Sequence, residues 1–191
     1  MDLPVGTFSI GPAQGSLRIS TRREGAGARL GHDLLIEATR WEGKVEISEG
    51  PSGRVEVTVD GRSLEVREGH GGARSLSDGD RQEIHSNIER KVLHTDRYPT
   101  IRFQSREVQG LSSDQGRVQA MLVGNLEMAG RSAPATVEVT VEPGQGGIRA
   151  HARARIRQTD WGIKPFSAFL GALKVADEVG VEADLTIPTQ G

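Results

Sequence analysis

Residues 148–158 read IRAHARARIRQ. Ile148, Ala150, Ala152, Ala154 and Ile156 take the even positions, and Arg149, His151, Arg153, Arg155 and Arg157 take the odd ones. A period of two places successive side chains on opposite faces of a strand. One face is apolar and the other basic. Three alanines in succession fill little space. In a small closed sheet the interior holds either its own side chains or one ligand, and small inward residues favour the ligand. A bulky neighbour or a helix filling the gap is the alternative. The basic face reads as solvated exterior, because a nucleic-acid stripe needs interleaved aromatics for base stacking and has none here.

The same alternation recurs on both sides of this stretch. Residues 54–60 (RVEVTVD) put Val55, Val57 and Val59 on one face, and residues 136–142 (TVEVTVE) do so with Val137, Val139 and Val141. Residues 181–187 repeat it with Val181, Leu185 and Ile187. Residues 100–108 follow an extended Tyr98-to-Pro99 step. Residues 117–128 form a long strand with Val118, Leu122, Leu126 and Met128 on one side. Residues 16–22, 34–39 and 43–48 are shorter strands. Between them lie turn residues: Asp60 with Gly61, Gly130 with Arg131, and the GQGG run at 144–147. Residues 69–72 and 111–116 read as surface loops. Turns this short exclude parallel neighbours, which need crossovers of a dozen residues or more. About eight antiparallel strands at this spacing predict an all-β closed barrel, which also removes exposed edges.

One helix interrupts the strands. Residues 78–93 (DGDRQEIHSNIERKVL) carry Ile84, Ile88 and Val92 as a single apolar stripe, with Ser77, Asp78 and Asp80 offering an N-terminal cap. The helix is expected to lie across the barrel exterior or one mouth. A shorter helical turn is expected within 166–173. No repeat or linker divides residues 1–191, so they read as one domain.

Composition narrows the functional classes. The 191 residues include 24 Lys+Arg and 26 Asp+Glu, a net charge of −2 that argues against a globally basic nucleic-acid binder. Hydrophobic residues are only 35% and aromatics 4%, while glycine reaches 25 residues, a balance that suits strands and tight turns over helical bundles. No cysteine is present, which excludes disulfides, thiol nucleophiles and cysteine-based zinc sites. The start, MDLPVGTFSI, has no secretory pattern, and no apolar run is long enough for a spanning helix. These features make a cytoplasmic chain without an integral membrane segment the expectation.

Few residues invite chemistry. His32 beside Asp33 could be an oriented base, but neighbours on a strand face opposite ways, and a structural histidine at a turn is the plainer reading. His85 and Glu89 have metal-compatible i, i+4 spacing, with His94 nearby, yet no second cluster supports a metal, and none is expected. Trp161 either lines a pocket or anchors a barrel end. Asp160 could pair with a nearby arginine. Phe166, Phe169, Leu170, Leu173 and Val175 plug a mouth, form a gate, or pack in the core. No nucleophile elbow, phosphate loop or dinucleotide fingerprint appears.

The order of several short motifs resembles the YceI-like family over nearly the whole chain, from Phe8 to Ile187. The matching pieces are Phe8, Ser9 and Ile10 with Ser16; VTVD at 57–60 leading to Ser63 and Leu64; Val92 and Leu93 followed by YPTIRF at 98–103; GNLEMAG at 124–130; TDWGI at 159–163; and VADEV at 175–179. The resemblance implies an extended lipocalin-like barrel with a long apolar lumen and one packed helix. It also implies an amphiphilic isoprenoid-type ligand, such as a polyprenyl phosphate or a quinone, with its head at the mouth, and it makes a homodimer an expectation. Many relatives carry a secretion signal that is not visible here. The expected ligand-binding residues are Leu17, Ile19, His32, Ile101, Phe103, Leu122, Ala150, Ala152, Ala154 and Trp161. No cofactor is expected. The competing reading is a small-molecule enzyme of cyclase or isomerase type that uses the same pocket, with His32 and Asp160 as acid and base. A filled barrel without a ligand is the third.

Overall fold

A computed structural model describes residues 4–49 and 52–188. The valine alternations become walls. In chain order the strands are β1 (Gly6–Ile10), β2 (Gly15–Thr21), β3 (Arg23–Glu24), β4 (Asp33–Ala38), β5 (Trp41–Ile47), β6 (Gly53–Asp60) and β7 (Leu64–His70). After helix α1 (Asp78–Asn87) come β8 (Thr100–Asp114), β9 (Arg117–Met128), β10 (Arg131–Gly144), β11 (Gly147–Arg157), β12 (Ser167–Ala168), β13 (Leu173–Val175) and β14 (Glu178–Ile187). Eleven of them form one antiparallel sheet in the order β1-β5-β6-β8-β9-β10-β11-β14-β2-β4-β7.

Eight strands are expected and eleven segments are found, because three long strands are broken in the middle. The pairing of β1 with β5, ending at Ile10 and Gly43, resumes as β2 with β4 from Arg18 and Glu37. Similarly, β5 pairs with β6 and β4 with β7. Between β1 and β2 a turn inserts, closed by the Gln14 N–H donating to the Gly11 carbonyl at 2.9 Å. Between β6 and β7 stands the 3-10 turn Gly61–Ser63, capped by the Asp60 carboxylate accepting from the Arg62 N–H at 2.9 Å. Two hydrogen bonds carry the ladder across the gaps, Thr39 N–H to the Ser63 carbonyl at 2.9 Å and Asp60 N–H to the Arg40 carbonyl at 3.0 Å. Because β2 also pairs with β14, the sheet curls back on its own first strand.

Residues 111–116, expected to be a loop, are mostly strand. Strand β8 runs to Asp114, and only Gln115 and Gly116 turn, both at positive φ. Both faces of this arm are exposed, so no apolar alternation marks it in the sequence. The turn between β9 and β10 is similar, with Ala129 at φ 49 and Gly130 at φ 75, the left-handed pair that tight hairpins require.

The helix forms where expected. Ser77 and Asp80 complete a capping box, and α1 continues as a wider turn, Ile88–Leu93, stopped by His94 at φ 52. Ile84, Ile88 and Val92 pack on the buried cluster, and Arg81 donates to the carbonyls of Val66 and Arg67, which fastens the helix to β7. No helix among the described residues is long and apolar enough to cross a membrane. The short sheet β12-β13-β3 is unforeseen, since strands of two or three residues carry no period. The second helical turn is Phe169–Gly171, inside the expected span.

Candidate functional site

The inward faces of these strands enclose a cavity of about 900 Å³. Its wall is aliphatic: Val55, Val57 and Val59 from β6; Val137, Val139 and Val141 from β10; Val181, Ala183 and Leu185 from β14. Register explains why it stays open. Ala150, Ala152 and Ala154 of β11 stand opposite Leu185, Ala183 and Val181 of β14. At the middle of this wall, alanine faces alanine. The middle of the outer face of β11 is paired by its neighbours: Arg153 meets Glu138 at 2.7 Å and His151 meets Asp184 at 2.8 Å. The middle of the basic stripe is therefore a paired exterior.

Of the residues singled out in the sequence, Leu17, Ile19, His32, Ile101, Phe103, Leu122, Ala150, Ala152 and Ala154 all line this cavity. Trp161 does not. It lies in the 3-10 turn Gln158–Trp161, is 3% exposed, and donates its indole N–H to the Leu126 carbonyl at 2.7 Å. With Leu93, Met128 and Ile163 in the same buried cluster, it anchors a barrel end. The other tryptophan, Trp41, lines the cavity, and its indole N–H has no partner among the described residues. Trp41 shares the face of Val45 and Ile47 in the alternation WEGKVEI, but the strand expected at 43–48 begins two residues after it and so does not include it.

Polar groups gather at one rim. His32 and Arg74 are joined by a 2.7 Å hydrogen bond between the histidine Nε2 and the Arg74 carbonyl. Arg74 in turn grips Asp80 with two hydrogen bonds of 2.7 and 2.8 Å. Arg74 and the Ser77 hydroxyl and N–H hold the Asp80 carboxyl well below the usual carboxylate range. Arg23 is committed to structure, donating to the carbonyls of Gly31 and His70, with its backbone N–H on Asp33. Leu30, Glu83, Phe169 and Lys174 complete the exposed rim. The 166–175 cluster therefore borders a mouth. Phe169 and Leu170 stand at φ 51 and 55, a conformation that costs a bulky residue on the order of 1–3 kcal/mol each.

The acid/base pair of the enzyme reading does not assemble. His32 is at the rim, whereas Asp160 is exposed on the turn that carries Trp161 and lines no part of the cavity. Asp33 faces Arg23 instead of His32. Asp160 makes no ion pair among the described residues; Asp177 performs the local capping, accepting from the Thr159 N–H at 2.9 Å and its hydroxyl at 2.6 Å. His85 and Glu89 approach to 3.9 Å, and no group of three potential metal ligands forms among the described residues.

A YceI-like domain model matches residues 9–187. Among solved structures, BcnA of Burkholderia cenocepacia superposes with a TM-score of 0.64 at 15% identity, covering 91% of this chain and 96% of that one. The Campylobacter jejuni YCEI protein gives 0.55 at 10% identity, covering 80% of this chain and 82% of that one. At such identities these structures speak to the fold alone. No curated protein sequence matches the chain.

Proposed function

Because this chain belongs to the YceI-like family, a family of lipid-binding barrels, we propose that its lumen holds one amphiphilic isoprenoid-type lipid for storage, transport or sequestration. The observation that carries this reading is the alanine-on-alanine wall around about 900 Å³ of aliphatic space. That volume lies in the range of small-molecule sites, roughly 300–1,000 Å³. Each buried CH₂ contributes about 0.8 kcal/mol, so a branched hydrocarbon tail gains affinity with length and needs no directional bonds. Selectivity then falls to the rim. Lys174, exposed on the rim and outside the Arg74–Asp80 pair, favours a head that accepts hydrogen bonds or carries negative charge, as a prenyl phosphate or a quinone carbonyl does. A cytoplasmic location belongs to the same proposal, and cell fractionation checks it.

Native mass spectrometry followed by solvent extraction tests the reading. The expected result is a prenyl lipid or quinone near one per chain. Ala152→Trp places an indole in the lumen and is expected to abolish that adduct while the barrel stays folded by circular dichroism. Undiminished lipid in the folded variant would remove the lumen from the proposal.

A further inference from the structure

The rim carries a feature that holding a ligand does not require. Leu170 is 109% exposed and Phe169 62%, side by side on the turn Phe169–Gly171. Leu30 is 59% exposed on the neighbouring turn Ala28–Leu30. The two turns are joined, since the Gly27 N–H donates to the Ala172 carbonyl at 2.8 Å. Three large apolar side chains thus project from one side of the opening. The positive φ of Phe169 and Leu170 holds them there, in a backbone region that bulky residues avoid. Leu30 and Phe169 also line the cavity, so apolar surface runs from this tip into the lumen.

Two cations flank the tip. Arg29 adjoins Leu30, and the Lys174 side chain passes beside Gly171. Glu24, the register partner of Lys174, and Glu83 on the rim offset part of this charge, while Asp80 is already engaged by Arg74. An apolar tip flanked by Arg29 and Lys174 fits a bilayer boundary better than a second copy of the chain. Two narrow turns offer less than the roughly 800 Å² per partner of a stable interface, and a two-fold contact would set Arg29 and Lys174 against their own copies.

We propose that this tip docks the barrel on a bilayer bearing anionic headgroups. Leu30, Phe169 and Leu170 enter the headgroup–acyl boundary, and Arg29 and Lys174 meet the phosphates. Lipid then passes between membrane and lumen without crossing water. This purpose rests on the lipid-lumen reading, whereas the docking depends on the tip alone.

Co-sedimentation with vesicles of phosphatidylcholine and phosphatidylglycerol in equal parts tests it. The wild-type chain is expected to bind these vesicles and to bind pure phosphatidylcholine more weakly. Phe169→Ser with Leu170→Asp removes two exposed apolar side chains, leaves the fold intact, and is expected to weaken binding on the order of tenfold or more. Arg29→Glu with Lys174→Glu is expected to abolish the preference for anionic vesicles. Ala152→Trp is expected to bind vesicles as the wild type does. Equal vesicle binding by the wild type and the Phe169/Leu170 variant overturns the proposal. So does a wild-type dimer that ignores vesicles and falls apart in that variant, which makes the tip a self-contact. A wild-type chain that yields extracted lipid yet ignores vesicles overturns docking alone. One that docks but carries no lipid sinks the lumen reading and leaves docking standing.

Discussion

Two regions of this barrel are built from the same alternation and end differently. Along the inward face of β11, Ala150, Ala152 and Ala154 leave an open lumen, and the next positions, Ile156 and Gln158, lead into a corner closed by Trp161. Gln158 is 7% exposed and donates to the Ala176 carbonyl at 2.9 Å, so even the polar member of the corner is satisfied. Period sets which side chains point inward; side-chain volume sets whether the inside is solid or hollow. The solid end carries stability, and the hollow wall carries capacity.

The contrast can be broken most forcibly at the solid end. Trp161→Ala is expected to destabilise the protein by about 3–5 kcal/mol in urea denaturation, because it empties a packed site and removes the hydrogen bond to the Leu126 carbonyl. In the hollow wall, Ala154→Leu is expected to cost less than about 1.5 kcal/mol, since the added methylenes enter free space, while it shortens the tail the lumen accepts. A cost as large as that of Trp161→Ala would show that the wall is packed. The two tryptophans sharpen the comparison at finer scale. Trp161→Phe is expected to lose about 1 kcal/mol with its hydrogen bond. Trp41→Phe removes an indole N–H without a partner among the described residues, so its expected cost is smaller than that of Trp161→Phe.

The smallest effect concerns the rim. Asp80 has its pKa lowered by Arg74 and Ser77, so it adds stability that is present above the ordinary carboxylate range and is lost as pH falls through its folded pKa. Asp80→Asn is therefore expected to melt below the wild type at neutral pH, with the gap closing in acid. A gap independent of pH in thermal melts would show that the Arg74 pair adds nothing.

Much of the fold was legible because burial imposes a period. The valines of β6 and β10 and the alanines of β11 could face only one way once the strands paired, and they line the cavity as read. The helix was legible through its stripe and its cap, and it ended within the expected span. The end of β8 was not, because a strand segment wet on both faces has no apolar alternation. Nor was the short sheet joining β3 to β13, which long-range pairing creates between residues about 150 positions apart. Trp161 illustrates the limit for the site. An aromatic at a strand end is compatible with lining or anchoring, and only the hydrogen bond to Leu126 decides. Whether two polar residues such as His32 and Asp160 converge is likewise a property of tertiary placement that spacing does not encode.

The ring is sealed by strand β14 against β2, with Gly180 opposite Ser20 and Ala183 opposite Leu17. Those partners lie at opposite ends of the chain, so the contact that finishes the barrel is among the most distant it makes. During synthesis the N-terminal strand leaves the ribosome long before its partner exists. Until residues 178–187 emerge, the aliphatic faces of β6, β10 and β11 form an open trough with unpaired strand edges at its seam. Closing so long a loop delays the rewarding contacts and slows folding. The interval before closure is when the nascent chain most needs a chaperone, and loss of the last strand would leave it permanently in that unsealed state.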